Sequence, residues 1–204
     1  MTCSNPDQHP APESGSATRP SVGIILCGGR GVRVGGADKP LLQWRSRPLV
    51  AWVFERLRDQ VDRVLISANR NREIYQRYAT VVSDDLFFNH GPLSGILNTA
   101  RSVDTQPRAA IELLICPGDA PLVPVDLAQR LGSASTQPRF AHAANREHPL
   151  HLRMTHAQAL AVQPYLGSGQ RSARGFLAHL GAVGVAFEDA AAFKNLNTPS
   201  DFKA

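Results

Sequence analysis

The chain has 204 residues, 43% hydrophobic and 19% charged. These values suit a globular chain of one-domain size with a substantial core, and exclude disordered and fibrous classes. The net charge of +5 admits a nucleic acid, a membrane surface or an anionic small ligand as partner. However, the arginines are scattered, with no run of five or more Lys or Arg and no aromatic-plus-basic RNA motif. That pattern favours an anionic small molecule over nucleic acid. The apolar runs fall far short of a membrane span, and no N-terminal segment reads as a signal peptide, so a cytoplasmic protein is expected. The three cysteines, Cys3, Cys27 and Cys116, form no disulfide framework; Cys27 and Cys116, each at the end of an apolar run, read as small buried thiols rather than a metal pair or nucleophile.

Residues 1–20 are rich in Pro, Ser and Ala, bury almost nothing and are expected to be a disordered extension. From there the pattern alternates. The apolar run 22–26 predicts a strand and leads into a glycine-rich loop. Helical spacing predicts a helix over 48–59, followed by a strand at 64–67, a short helix at 72–78 and a strand at 80–82. A helix over 93–103 follows Gly91 and Pro92; then come a strand at 110–116 and a helix at 124–131. Beyond 140 the rhythm loosens: strands at 140–144 and 149–154, helices at 156–165 and 171–180, and a late strand at 183–187. Such alternation predicts an α/β fold, a mostly parallel central sheet with helices on both faces, in one domain over 21–204. Ligands of such sheets gather at the carboxyl ends of strands. The segments there are 27–39, 67–70, 83–85 and 116–121.

The first of these ends carries the clearest signal, 26-LCGGRGVRVGGADKPLL-42. Gly28, Gly29, Gly31, Gly35 and Gly36 let backbone N–H groups approach phosphate oxygens, and Arg30, Arg33 and Lys39 supply charge-assisted hydrogen bonds. It fits neither common phosphate fingerprint. Gly31 and Gly36 have the Walker separation, but Ala37 follows. Gly29 and Gly31 begin a dinucleotide motif, but Val34 holds its third glycine position. The third reading is a nucleoside triphosphate loop outside both fingerprints, favoured over a flexible surface turn with solvated charges because so many glycines are costly in chain entropy.

This run closely resembles the signature of the MobA family, the molybdenum cofactor guanylyltransferases, LAGGxxxRMGGxDKxLL. The segments 91-GPLSG-95, 116-CPGDAP-121, 146-REHP-149 and 193-FKNLNTP-199 resemble further family segments, so the likeness spans about 22–202. The resemblance implies a Rossmann-like nucleotidyltransferase fold, with GTP bound in the N-terminal half and molybdopterin in the C-terminal half. It also implies a reaction: GMP passes from GTP to the phosphate of molybdenum-molybdopterin, giving the guanine dinucleotide cofactor and pyrophosphate. Mg²⁺ is the implied cofactor. Molybdenum insertion proteins and molybdoenzyme chaperones are the implied protein partners, and a monomer is expected.

The resemblance also assigns residues. Lys39, Arg33 and Asp119 would be catalytic, and Asp119 would hold the metal, a reading favoured over an Asx turn before Pro121. Asp38 would orient the loop. The nucleotide set is Leu26, Cys27, Gly28, Gly29, Lys39, Ser67, Asn69, Asp84, Gly91, Gly95 and Asp119. Ser67 stands where the family has Asn, leaving Asn69 nearby; Cys27 replaces Ala; Asp85 competes with Asp84; Gly95 could be helix-entry punctuation. A carboxylate here can accept from guanine N1–H and N2–H together, a donor pair that cytosine lacks. The molybdopterin set is Arg146, His148, Arg171, Arg174, Asn195 and Asn197. Ser172 replaces the second of the family's paired arginines, with Arg174 as the candidate substitute, and Asn197 could instead belong to a helix cap over 198–201. His148 and His151 lack acidic or cysteine partners and are not read as metal ligands. Two rivals stay open: a cytidylyltransferase or sugar-phosphate nucleotidyltransferase, and a GTP-binding adaptor without turnover.

Overall fold

The structure is a computed structural model that describes residues 20–28, 38–103, 111–134 and 136–196. The expected N-terminal extension up to residue 19 lies outside the described residues, as do Gly29, Arg33 and Asn197 and the cap expected over 198–201.

The first strand, β1 (Ser21–Leu26), shows how the core is divided. Successive side chains of a strand point to opposite faces. Val22, Ile24 and Leu26 join one apolar layer, while Ile25 and Cys27 join the other. Gly23 lies under the second layer because a Cβ there would stand 2.9 Å from the Leu57 side chain. A two-strand hairpin, β2 (Gln43–Trp44) and β3 (Arg47–Pro48), precedes helix α1 (Leu49–Arg58). Then follow β4 (Arg63–Ser67), α2 (Arg72–Tyr75), β5 (Thr80–Val82), α3 (Pro92–Ser102), β6 (Glu112–Pro117) and α4 (Leu127–Leu131). The last third contains β7 (Arg139–Ala143), β8 (Arg146–Thr155), α5 (His156–Leu160), α6 (Val162–Gly167), α7 (Ala173–His179) and β9 (Val183–Phe187).

Seven strands form one sheet in the order β5-β4-β1-β6-β8-β7-β9. All run parallel except β8, which is antiparallel to both β6 and β7. Helices α3, α5, α6 and α7 cover one face through Leu93, Ile96, Leu97, Ala159, Leu166 and Phe176. The other face is covered by α1, α2 and α4 through Val50, Val53, Leu57, Tyr75, Leu127 and Leu131. The expected fold class is the observed one. Among the described residues no helix is long and apolar enough to cross a membrane.

Several boundaries differ from expectation for local reasons. The helix expected over 156–165 is two helices, because Pro164 has no N–H for the Leu160 carbonyl. The Ala161 N–H there is shared between the Ala157 and Gln158 carbonyls. The first of the two opens on a capping box, Thr155 with Gln158. Helix α4 begins at Leu127 rather than Pro124, and the Gln60 side chain bonds both the Pro124 carbonyl and the Ala128 N–H at this entry. Helix α2 stops at Tyr75, short of residue 78, where the chain turns toward β5. Helix α7 begins at Ala173 rather than at residue 171, after the Ser172 cap.

The strand expected over 149–154 begins at Arg146 and is irregular. Ala141 pairs with His148, but the next residue back, Phe140, pairs with Leu152. Pro149, Leu150 and His151 are thus extra residues in the ladder, a bulge at a proline that cannot donate to it. Pairing of β6 with β8 extends only to Ile115–Leu152, so Cys116 and Pro117 run on without a partner in β8. The sheet therefore opens at the carboxyl end of β6.

Candidate active site

The carboxyl ends of β1, β4, β5 and β6 are tied together beyond the strands themselves. The Cys27 N–H donates to the Ser67 carbonyl at 2.8 Å, Ala68 to Val82 at 3.0 Å and Gly118 to Leu26 at 2.9 Å. Gly118 permits this approach, because a Cβ there would lie 2.6 Å from the Cys27 sulfur and 3.2 Å from the Leu26 carbonyl oxygen. Just beyond, Lys39 forms an ion pair with Asp119. Both side chains are largely covered, 16% and 17% exposed. Lys39 opens the 3-10 turn Lys39–Leu41. Its neighbour Asp38 accepts from the Asn71 side chain at 2.9 Å, which holds this end of the loop against the β4 side of the sheet.

A cleft of about 320 Å³ lies on one side, lined by Leu26, Gly28, Ser67, Asn69, Asp84, Asn89, Gly91, Pro92 and Gly95. Six of these, Leu26, Gly28, Ser67, Asn69, Asp84 and Gly95, come from the expected nucleotide set, with Gly91 as a seventh. Asp84 is the best-held side chain among them. Its Oδ2 accepts from the Asn69 amide at 2.9 Å and from the Ser94 hydroxyl at 3.0 Å, and its own N–H donates to Asn69 Oδ1 at 2.8 Å. Its Oδ1 is buried and has no hydrogen-bond partner among the described residues. Asp85 differs: it is exposed and accepts from the Leu86 N–H at 2.6 Å. The geometry thus separates the two carboxylates that adjacency in sequence leaves equal. Gly91 has φ +83°, a conformation that strains other residues. Gly95 lies inside α3 rather than at its entry. A Cβ on it would be 2.5 Å from the Ser67 hydroxyl, so its absence lets α3 pack on the end of β4. Ser94 and Asn89 were not anticipated; the former was visible inside GPLSG, whereas Asn89 enters through a backbone with φ +61°.

A second cavity, about 690 Å³, opens where β6 and β8 part. Its wall includes Pro117, the β1–β6 register partner of Leu26, so the two spaces adjoin the same strand pair. Arg146, His148 and Asn195 of the expected molybdopterin set line it. The segment containing Asn195 is held beside Asp119 by the Leu196 N–H, which donates to the Asp119 carbonyl at 3.1 Å. Arg174 is exposed and pairs at 2.6 Å with Glu147, itself in the cavity wall. Arg171 is exposed before α7 and does not line the cavity. Ser172, where the family pattern has arginine, caps α7 by accepting from the Gly175 N–H at 3.1 Å.

Burial controls the chemistry of several groups. The Cys27 thiol is pushed well up, first by burial and then by Asp38, and burial does the same to Cys116. Both are therefore neutral thiols, as read from the sequence, and unsuited to nucleophilic attack. Burial lowers His148 and takes His151 down to about 3. Among the described residues no group of three or more His, Cys, Asp or Glu side chains gathers as a metal cluster.

The chain matches the family described as MobA-like NTP transferase domain over residues 23–183. It is 38% identical over 187 residues to a molybdenum cofactor guanylyltransferase of Mannheimia succiniciproducens, covering 89% of this chain and 96% of that one. With the enzyme of the same name from Cereibacter sphaeroides it shares 41% over 182 residues, 88% and 92% of the two chains. In fold it is similar to molybdopterin-guanine dinucleotide biosynthesis protein A from Archaeoglobus fulgidus, with a TM-score of 0.71 at 20% identity over 89% of this chain and 95% of that chain. It is also similar to 4-diphosphocytidyl-2C-methyl-D-erythritol synthase from Anaerococcus prevotii, with a TM-score of 0.69 at 10% identity over 91% and 96%. These two structural likenesses speak to the fold alone. The extent of the family match and the sequence relatives show that this chain belongs to the MobA-like NTP transferase family, that of the molybdenum cofactor guanylyltransferases.

Proposed function

We propose that the protein transfers GMP from GTP to the terminal phosphate of molybdenum-molybdopterin, giving the guanine dinucleotide cofactor. A phosphate oxygen of the acceptor attacks the α-phosphorus, the bond from that phosphorus to the bridging oxygen breaks, and pyrophosphate leaves. The observation that carries this reading is the adjacency of two spaces at one strand pair, β1–β6, with Lys39 and Asp119 just beyond it. Two substrates can thus meet at a paired cation and carboxylate. Phosphoryl-type transfer needs that positioning and charge stabilisation more than covalent chemistry.

The 320 Å³ cleft is assigned to the nucleoside of GTP. The partnerless Asp84 Oδ1 at its wall is the acceptor expected for guanine N1–H and N2–H, with Asn69 and Ser94 holding the carboxylate in place. Lys39 would exchange Asp119 for phosphate oxygens and stabilise the departing pyrophosphate as a point charge. Arg33 is assigned to the same phosphates. Asp119 would hold Mg²⁺: its hard oxygen donors fit a hard cation, and the triphosphate would supply the further oxygens that the described residues do not gather. Bound there, Mg²⁺ would screen the charge of the reacting phosphates. The 690 Å³ cavity is assigned to the acceptor, with Arg146, His148 and Asn195 in its wall and Arg174 at its rim through Glu147.

The fold does not choose the base, since a cytidylyl enzyme shares it. Pyrophosphate release by the purified protein, with Mg²⁺ and molybdenum-molybdopterin, tests the reading. Release is expected with GTP and not with CTP. Release with CTP alone would reverse the base assignment, and release with neither would favour a binding protein.

A further inference from the structure

The wall of the larger cavity contains a buried polar group that the proposed reaction leaves idle. His151 lines this cavity, is 2% exposed, and its Nε2 has no hydrogen-bond partner among the described residues. A buried polar atom left unpaired is costly, and a native structure that tolerates one invites a functional explanation. The neighbouring His148 Nε2 likewise has no partner among the described residues.

The surroundings are aromatic. The His148 ring stacks on Phe193 at 4.8 Å and 26°, and His151 stands edge-on to Phe193 at 5.0 Å and 87°. Phe187 also meets Phe193 edge-on, at 4.9 Å. A phenylalanine would fill the position of His151 in this corner without stranding a nitrogen. Burial keeps the His151 ring uncharged, so it offers a directional hydrogen bond rather than a charge. The backbone is also shaped to place it. His151 closes the three-residue bulge of β8, at the point where β8 leaves β6 and the cavity opens. Bulges re-aim side chains in this way beside active sites.

We propose that His151 is a specificity-determining residue of the acceptor subsite, its Nε2 making one hydrogen bond to the edge of a flat nitrogen heterocycle. This rests on the assignment of the larger cavity to molybdopterin. The aromatic corner supplies a flat wall for the ring system, and the nitrogen selects its edge.

Equilibrium binding of molybdopterin to the wild-type protein and to His151→Phe tests it, alongside steady-state kinetics with GTP. The phenylalanine variant keeps the ring volume and loses the nitrogen. Its affinity for molybdopterin and its acceptor KM are expected to worsen about five- to tenfold, with kcat and the GTP KM within about twofold. Equal molybdopterin affinity in the two proteins would overturn the inference alone. Failure of the wild type to bind molybdopterin would overturn the parent assignment, and this inference with it. A measurement that needs no variant uses wild-type protein labelled with ¹⁵N-histidine: the His151 Nε2 resonance should move on adding molybdopterin, and an unmoved resonance at saturation would count against the hydrogen bond.

Discussion

Lys39 and Asp119 are 80 positions apart in the chain and form one ion pair at the end of β6. Under the proposed mechanism each acts on charge that changes during transfer. Lys39→Ala and Asp119→Ala are each expected to lower turnover by more than tenfold, about 1.4 kcal/mol of barrier, in a pyrophosphate-release assay. Full activity of the Asp119 variant would remove it from the metal role. His151 gives a prediction independent of activity. Its value in the folded protein, about 3, lies below the ordinary 6.5. The unfolded chain therefore takes up the proton first as pH falls. The stability associated with the neutral ring is complete above about pH 6.5 and is lost progressively from there toward 3. Urea midpoints at pH 7 and pH 5 should fall more for the wild type than for His151→Phe.

The packing of α3 on β4 is decided by Gly95, which sits against Ser67 and Leu26 with room for no Cβ. Gly95→Ala is expected to destabilise by about 1–3 kcal/mol through overpacking. It should also weaken GTP binding, because the same contact forms a wall of the smaller cleft. Adding Ser67→Ala should restore part of the stability, since the nearest clashing atom is the serine hydroxyl; chemical denaturation of the single and double variants measures this. If the double variant is no more stable than Gly95→Ala, the clash is not the cause. At this scale much was legible in advance. Strands β1, β4, β5 and β9 follow their apolar runs, and Pro92 and Gly91 mark the start of α3. The displaced boundaries came from partners remote in sequence, such as Gln60 at the entry to α4. The β8 bulge was not legible, although Pro149 stands within it, because a bulge is defined by the neighbouring strand.

Across the whole molecule, the antiparallel β8 is the element whose parting from β6 opens the larger cavity, and its junction with β6 rests on a buried ion pair. Glu112 is 1% exposed and pairs with Arg153 at 2.5 Å. It also accepts from the Ser133 hydroxyl at 2.6 Å and the Ala134 N–H at 3.1 Å, while Arg153 donates to the Ala128 carbonyl at 2.7 Å. Removing one partner strands a poorly solvated charge. Glu112→Ala is expected to cost about 3–5 kcal/mol in urea denaturation. A loss below about 1 kcal/mol would mean that Arg153 finds other partners or water.

The α/β alternation, the glycine-rich segment after β1 and the motifs that carry the family likeness could all be read from the order of residues. Each of these is written in contiguous residues, where hydrophobic period and local turn chemistry act. It took the folded chain to show that Asp84 rather than Asp85 faces the smaller cleft, that Ser172 caps a helix, that Arg174 reaches Glu147 and that His151 lies buried beside Phe193. Those outcomes depend on burial and on strand register, which bring together residues that the chain keeps far apart.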